Sequence, residues 1–211
     1  MVIVKNDDSR FFDPKRLKDL GDGIFAFSMT FLIITIDLPK VAQGALRPEL
    51  IKMIPDVLTY TLSFFLLAIF WMTNHIQMKE IKRADSRLVW INMLLFLMIV
   101  FVPLTTDLYS FYDGSRLAML VFNLNILLIG LVFALQWHHL VVNRLHHEEF
   151  TEEEIKDRYN LCLSLIGVAL LAIAVGLFYP AWCGLVYLIM SAYRIWLRKK
   201  WSQGKDKART S

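Results

Sequence analysis

Apolar residues fill five long stretches of this chain, separated by short charged breaks. Charge-free runs cover residues 23–36, 57–78, 88–106, 117–143 and 159–193. A helix needs roughly 20 apolar residues to cross a hydrocarbon layer about 30 Å thick, so each of the three middle runs crosses once. The last run has 35 positions, about 52 Å of helix at 1.5 Å per residue, which is too long for one span. Phe178-Tyr179-Pro180 marks the break, because proline cannot continue a helix cleanly and restricts the residue before it. The pattern predicts an all-α integral membrane protein with six transmembrane helices, at about 17–38, 52–78, 87–108, 116–142, 157–178 and 180–198. They form one domain over 1–204, followed by a disordered basic tail over 205–211.

The first helix is not a plain anchor. It carries Asp22 near its start and Asp37 at its end, with Ser28, Thr30 and Thr35 between bulky residues. Positions 27, 30/31, 34 and 37/38 share one stripe of a 3.6-residue helix: Phe27, Thr30, Phe31, Ile34, Asp37 and Leu38. As a pore face, the stripe has Asp37 concentrating cations at an outer mouth and Thr30 offering oxygen partway down. As a plain surface, it meets lipid or another helix. Asp22 lies about 140° round the helix from Phe27 at roughly 100° per residue, so it points elsewhere. An ionisable group inside a membrane needs a partner. The candidates are Arg16, Asn74, His75 and Asn92, as a structural polar clamp or as a proton relay.

The breaks are legible as connectors. The loop from Pro39 to about Pro48 contains Gly44, and Pro48 or Pro55 suits the first turn of helix two. A basic turn around Arg83-Ala-Asp-Ser joins helices two and three, and Asp113-Gly114-Ser115 is a turn signal. Thr151-Glu-Glu-Glu154 is a capping box opening helix five. Residues 1–15 are polar and charged, which does not read as a cleavable signal peptide.

Composition sharpens the membrane reading: 56% of the 211 residues are hydrophobic and 20% charged, with a mean hydropathy of +0.48. Charge then orients the chain. Lys40, Arg47, Lys52 and Arg116 lie on one side of the predicted topology, and the other 19 of the 23 lysines and arginines on the side of both termini. The positive-inside rule puts that side in the cytoplasm, with the chain multi-pass in the inner (plasma) membrane. The net charge of +4 is thus a topology signal, not a sign of a nucleic-acid partner. Cys162 and Cys183 fall within predicted spans and read as small packing residues.

No Cys-x-x-Cys-His, His-Glu-x-x-His, Walker loop, Gly-x-Ser-x-Gly or Gly-x-Gly-x-x-Gly occurs, so nothing supports an enzyme, a resident metal or another cofactor. His138-His139 and His146-His147 invite a haem reading with His75. Adjacent histidines point about 100° apart on a helix and do not share a ligand face. A haem-binding electron-transfer protein and a proton-coupled transporter using Asp22 and His75 are the alternatives. The Thr-Val-Gly-Tyr-Gly carbonyl filter is absent too.

Arg16-x-x-x-Leu20-Gly21-Asp22-Gly-Ile-Phe-Ala26-Phe27-x-x-Thr30 resembles the signature of the lysosomal potassium channel family of transmembrane protein 175, in which Arg-x-x-x-Phe-Ser-Asp precedes an apolar gate residue and a threonine. The similarity continues through Trp71-x-x-Asn74-His75 and Lys82-Arg83-Ala-Asp85-x-x-Leu88-x-Trp90-x-Asn92 to Phe101-Val-Pro103. The resemblance implies a prokaryotic-type, six-helix subunit with cytoplasmic termini. It assembles as a homotetramer in membrane lipid and passes K+ and other monovalent cations. Helix one then lines the pore, the gate falls on Phe27, the pore threonine on Thr30, and Ile34 stands one turn further out. Two departures stand out: Leu20-Gly21 replaces Phe-Ser, and Phe27 replaces the usual Ile or Leu. Four phenyl rings round one axis make a hydrophobic plug of the kind that gates by dewetting, which implies a low resting open probability or altered K+/Na+ discrimination.

Overall fold

In the computed structural model the described residues are 12–36, 46–146, 151–179, 183–184 and 186–187. They form six helices: α1 (Pro14–Ile34), α2 (Leu46–Lys52), α3 (Ile54–Lys79), α4 (Ser86–Phe111), α5 (Arg116–Val142) and α6 (Glu152–Phe178). These are not the six that the pattern predicts. The seven-residue α2 stands where a loop was expected, and helix two begins as α3 behind Pro55 in its first turn. The expected sixth span lies largely outside the described residues, although 183–184 and 186–187 are helical. The expected tail over 205–211 also lies outside them.

Each long helix starts where local chemistry tells it to. Proline opens α1, and the Asp13 carboxylate accepts the Lys15 amide at 2.9 Å. Asp85 caps α4 by accepting the Leu88 amide at 2.8 Å. Gly114, at φ 76, turns the chain before Ser115 caps α5. The expected capping box is present at α6: Thr151 Oγ1 accepts the Glu154 amide while the Glu154 carboxylate takes the Thr151 amide at 3.0 Å. At its other end α5 closes in a Schellman turn, with Arg144 at φ 51 and the Leu145 amide reaching back to the Leu140 carbonyl at 3.0 Å.

Four helices, α3 to α6, are long and apolar enough to cross a membrane. The shortfall in α1 is electrostatic, since Lys15, Arg16, Lys18, Asp19 and Asp22 crowd its first turns. The core runs through α4 and α5, where Leu88, Leu95, Ile99, Met119, Ile129, Phe133 and Leu140 are fully enclosed. Gly130 lets α6 come close: a Cβ there would stand 3.2 Å from Ile166 Cγ1. Polar pairs lace α3 to α4, from Asp56 with Ser110 (2.7 Å) through Tyr60 with Asp107 (2.7 Å) to Ser63 with Thr106 (2.9 Å). The partners step forward along α3 as they step back along α4, which is the register of an antiparallel pair. Such cross-helix bonds are useful in hydrocarbon because no water competes for the groups.

At the proximal end of the bundle, where α1 begins, the turn between α3 and α4 is held from three sides. The Phe12 amide donates to the Ala84 carbonyl at 2.8 Å, and the Lys82 amide to the Leu145 carbonyl at 2.8 Å. Arg158 of α6 reaches Glu80 at 3.3 Å. Cys162 and Cys183 are buried, as the sequence suggested, with Cys162 Sγ 3.4 Å from Gln77 Nε2.

Replacing Thr151 with alanine removes the side-chain half of the α6 capping box, the acceptor for the Glu154 amide, and leaves the backbone amide of residue 151 on the Glu154 carboxylate. It is expected to cost about 1 kcal/mol, read as a lowered unfolding midpoint of the detergent-solubilised protein.

Candidate functional site

The rotation of α1 decides which of its side chains are available. Leu17, Gly21, Phe25, Ser28 and Leu32 are buried, at the spacing of one helix face, and α1 packs there against α3 and α4. Gly21 permits this approach. A Cβ at that position would lie 2.9 Å from Phe96 Cζ and 3.2 Å from Asn74 Nδ2. A serine at this position would have to displace the enclosed Phe96 ring.

The opposite face is left unmet within the subunit. Phe27 is 62% exposed and Ile34 68% exposed, with Thr30 and Phe31 exposed between them. The Phe27 and Phe31 rings stack at 5.7 Å. The Thr30 hydroxyl donates to the Ala26 carbonyl at 2.9 Å, which fixes the oxygen and leaves its lone pairs for another partner. The structure therefore brings Phe27, Thr30 and Ile34 onto one open stripe. Asp37, expected at the end of that stripe, lies outside the described residues. The three polar side chains expected to act together are divided. Ser28 is buried on the packed face, Thr30 lies on the open face, and the Thr35 hydroxyl donates to the Leu32 carbonyl at 2.9 Å.

Asp22 has a partner that was not among the four expected. Its carboxylate accepts from Trp71 Nε1 at 2.7 Å, and the Trp71 ring in turn lies 5.5 Å from the His75 imidazole. Arg16 is exposed, two turns away at the charged start of the helix. Asn74 and Asn92 are buried and His75 half-buried. Asn92 donates to the Leu88 carbonyl at 2.9 Å. Asn74 Oδ1, His75 Nδ1 and Asn92 Oδ1 have no hydrogen-bond partner, and neither does Ser28 Oγ. Of the expected clamp the structure shows an Asp22–Trp71 bond, with the buried Asn74 and Asn92 and the half-buried His75 taking no part in it. The sequence signal for it was present, because Trp71 and His75 are i and i+4 on one helix face.

The remaining histidines serve the proximal end. His138 Nδ1 lies 3.1 Å from the Tyr159 hydroxyl, and His139 Nε2 lies 3.0 Å from Asp85. Each ring of the pair considered for haem is thus engaged with its own neighbour. Among the described residues, no group of three or more His, Cys, Asp or Glu side chains is arranged to hold a metal ion.

Comparison with known proteins places the chain beside potassium channels. The family described as "Endosomal/lysosomal potassium channel TMEM175" matches residues 16–103, which contain the Asp22–Trp71 pair and the open stripe. The chain is 30% identical over 130 residues to a potassium channel of Streptomyces collinus; the match covers 59% of this chain and 63% of that protein. It is 28% identical over 174 residues to a potassium channel of Chamaesiphon minutus, covering 77% and 86%. The crystal structure of a lysosomal potassium-selective channel TMEM175 homolog from Chamaesiphon minutus superposes with a TM-score of 0.75 at 25% identity, over 85% of this chain and 95% of that one.

Two outcomes follow from the packed face. Trp71→Phe keeps the ring but removes the donor to Asp22, at an expected cost of about 1–2 kcal/mol. Combined with Asp22→Asn, the two losses are expected to be less than additive in a thermal double-mutant cycle, whereas strictly additive costs would dissolve the pair. Gly21→Ala drives a methyl against Phe96 and is expected to cost about 1–3 kcal/mol, seen as a lowered melting midpoint.

Proposed function

We propose, from the premise that the chain is a homologue of the TMEM175 potassium channels, that it is the subunit of a potassium-permeable cation channel. In this reading four copies assemble round an axis, each contributing six spans within 1–204, with α1 lining the pore. The observation that carries it is the open stripe on α1. Phe27 and Ile34 are left 62% and 68% exposed, on a helix whose first turns carry Lys15, Arg16, Lys18, Asp19 and Asp22. Thr30, between them, has its hydroxyl hydrogen committed to its own helix and its lone pairs free.

The roles follow from side-chain chemistry. Four Phe27 rings form an apolar constriction that water wets poorly, so it resists ions until it widens. Thr30 supplies a ring of oxygens beyond that gate, and Ile34 narrows the passage one turn further on. Asp37 draws cations to the outer mouth. Asp22 with Trp71, and the polar Asn74, His75 and Asn92, hold α1 at the rotation that aims the stripe at the axis. Arg16 stands at the pore's cytoplasmic start. The charge bias of the loops supports placing both termini in the cytoplasm and the chain in the plasma membrane. No catalytic step, metal or nucleic acid is part of this activity.

Purified protein in liposomes loaded with potassium is expected to release it selectively over sodium, with caesium as a third comparison and a proton-flux arm. Flux that follows a pH gradient and ignores potassium would instead indicate a proton-coupled transporter. Phe27→Ala is expected to raise the leak severalfold, and an unchanged leak would remove Phe27 from the gate.

A further inference from the structure

Asp85 does two things at once at the proximal end. Its Oδ1 caps α4 at the Leu88 amide, and both of its oxygens lie 3.0 Å from Nε2 of His139 near the end of α5. On the other side of the ring, Nδ1 lies 3.2 Å from Asn143 Nδ2. The same Asn143 nitrogen donates to the His139 carbonyl at 2.9 Å. A carbonyl only accepts, so the Asn143 amide has its NH2 turned toward the ring, and Nδ1 is then the unprotonated acceptor. Nε2 carries the ring hydrogen and gives it to Asp85. The arrangement is a neutral imidazole between a carboxylate and a side-chain amide that is exposed.

Protonation changes this balance in a defined direction. A hydrogen on Nδ1 would face the Asn143 NH2, so Asn143 must turn away. On the far side, a neutral hydrogen bond becomes a charge-assisted one, roughly twice as strong. The new positive charge also sits in the last turn of α5, where the helix dipole favours it. Proton uptake therefore tightens the His139–Asp85 contact, which is strongest at low pH and loosens as pH rises. Imidazole is the side chain that changes charge in the physiological range.

The contact lies next to the start of α1. Asp85 follows Ala84, whose carbonyl accepts the Phe12 amide at 2.8 Å, two residues before Pro14 opens α1. The charged groups on the surrounding elements are Lys82 and Arg83 on the turn, Arg87 in the first turn of α4, and Asp13 and Lys15 at the start of α1. Arg144 and His146 follow α5, and Glu80 pairs with Arg158 of α6. Asp85 is the carboxylate that meets the His139 ring.

We propose that His139 is a proton-responsive positioning residue: its protonation draws Asp85 and the α3–α4 turn against α5, holds the start of α1 in place, and lowers conduction. The conduction readout rests on the channel reading above, whereas the local proton response does not. In planar bilayers, wild-type potassium current is expected to fall severalfold as proximal-side pH drops from about 8 to about 6, the range in which imidazole changes charge. His139→Gln keeps a donor for Asp85 but takes up no proton, so its current is expected to stay flat. His138→Gln is expected to retain the wild-type response. Independently of current, hydrogen exchange at the Phe12 and Leu88 amides, corrected for intrinsic rate, is expected to slow at low pH in wild type and not in His139→Gln. A pH response that survives in His139→Gln, or exchange at these amides that ignores pH in wild type, overturns the proposal. If no variant conducts, the channel reading fails and the exchange measurement alone decides the role of His139.

Discussion

The close approach of α1 to α4 at Gly21 is the constraint on which the rest depends. With Phe96 Cζ 2.9 Å from where a Cβ would stand, the tip of the Phe96 ring lies against the α1 backbone in the space that any side chain would need. In a helix with about 100° per residue, fixing the direction of one position fixes all of them. Phe25, Ser28 and Leu32 continue inward from Gly21, so Phe27, Thr30 and Ile34 have no partner in the subunit. The same contact carries Asp22 to the edge of α3, where Trp71 can reach it. A glycine in place of a serine thus does more than remove a hydroxyl from a polar network. It sets how deeply α1 sits in its groove, and the aromatic ring occupies the volume a side chain would have filled.

The hydrocarbon environment makes the polar side chains informative. A buried amide or hydroxyl without a partner is costly, and most of those between the helices are paired, as in the ladder from Asp56–Ser110 to Ser63–Thr106. Among the described residues, Ser28, Asn74, His75, Gln77 and Asn92 break that rule at single atoms on α1, α3 and α4, and Gln136 of α5 breaks it at both of its amide atoms. Buried polar groups left partly unsatisfied are more often found at functional sites than in plain packing.

What the sequence made legible was local. Helix starts at Asp85, Ser115 and Thr151, the turn at Gly114, and the stripe on α1 depend on residues a few positions apart, and periodicity and capping chemistry identify them directly. The Asp22–Trp71 bond joins positions 49 apart, and finding it requires the register between α1 and α3. The same holds for His139 with Asp85, 54 apart, which read as one of a histidine pair until α5 was placed beside the α3–α4 turn. The short α2 was hidden for another reason. Leu46–Lys52 contains Pro48 and alternates charge with apolar residues, a composition that reads as a loop, although proline is tolerated in the first turn of a helix.

The uneven chemistry along α1 bears on what can surround it. Its first turns carry five charges, and its later turns expose phenyl and isoleucine side chains to the same degree as a lipid-facing helix. Lipid alone would suit the second part and penalise the first, where an ionised group in hydrocarbon costs several kcal/mol. Bulk water alone would suit the first and waste the second. In the channel reading proposed above, an axis shared with other copies satisfies both: water reaches the charged start from one side of the membrane, and the rings meet their counterparts further in. That arrangement also gives Asp22 a reason to be bonded to Trp71 and not to Arg16. A neutral ring donor ties the carboxylate to its own subunit across the contact between α1 and α3.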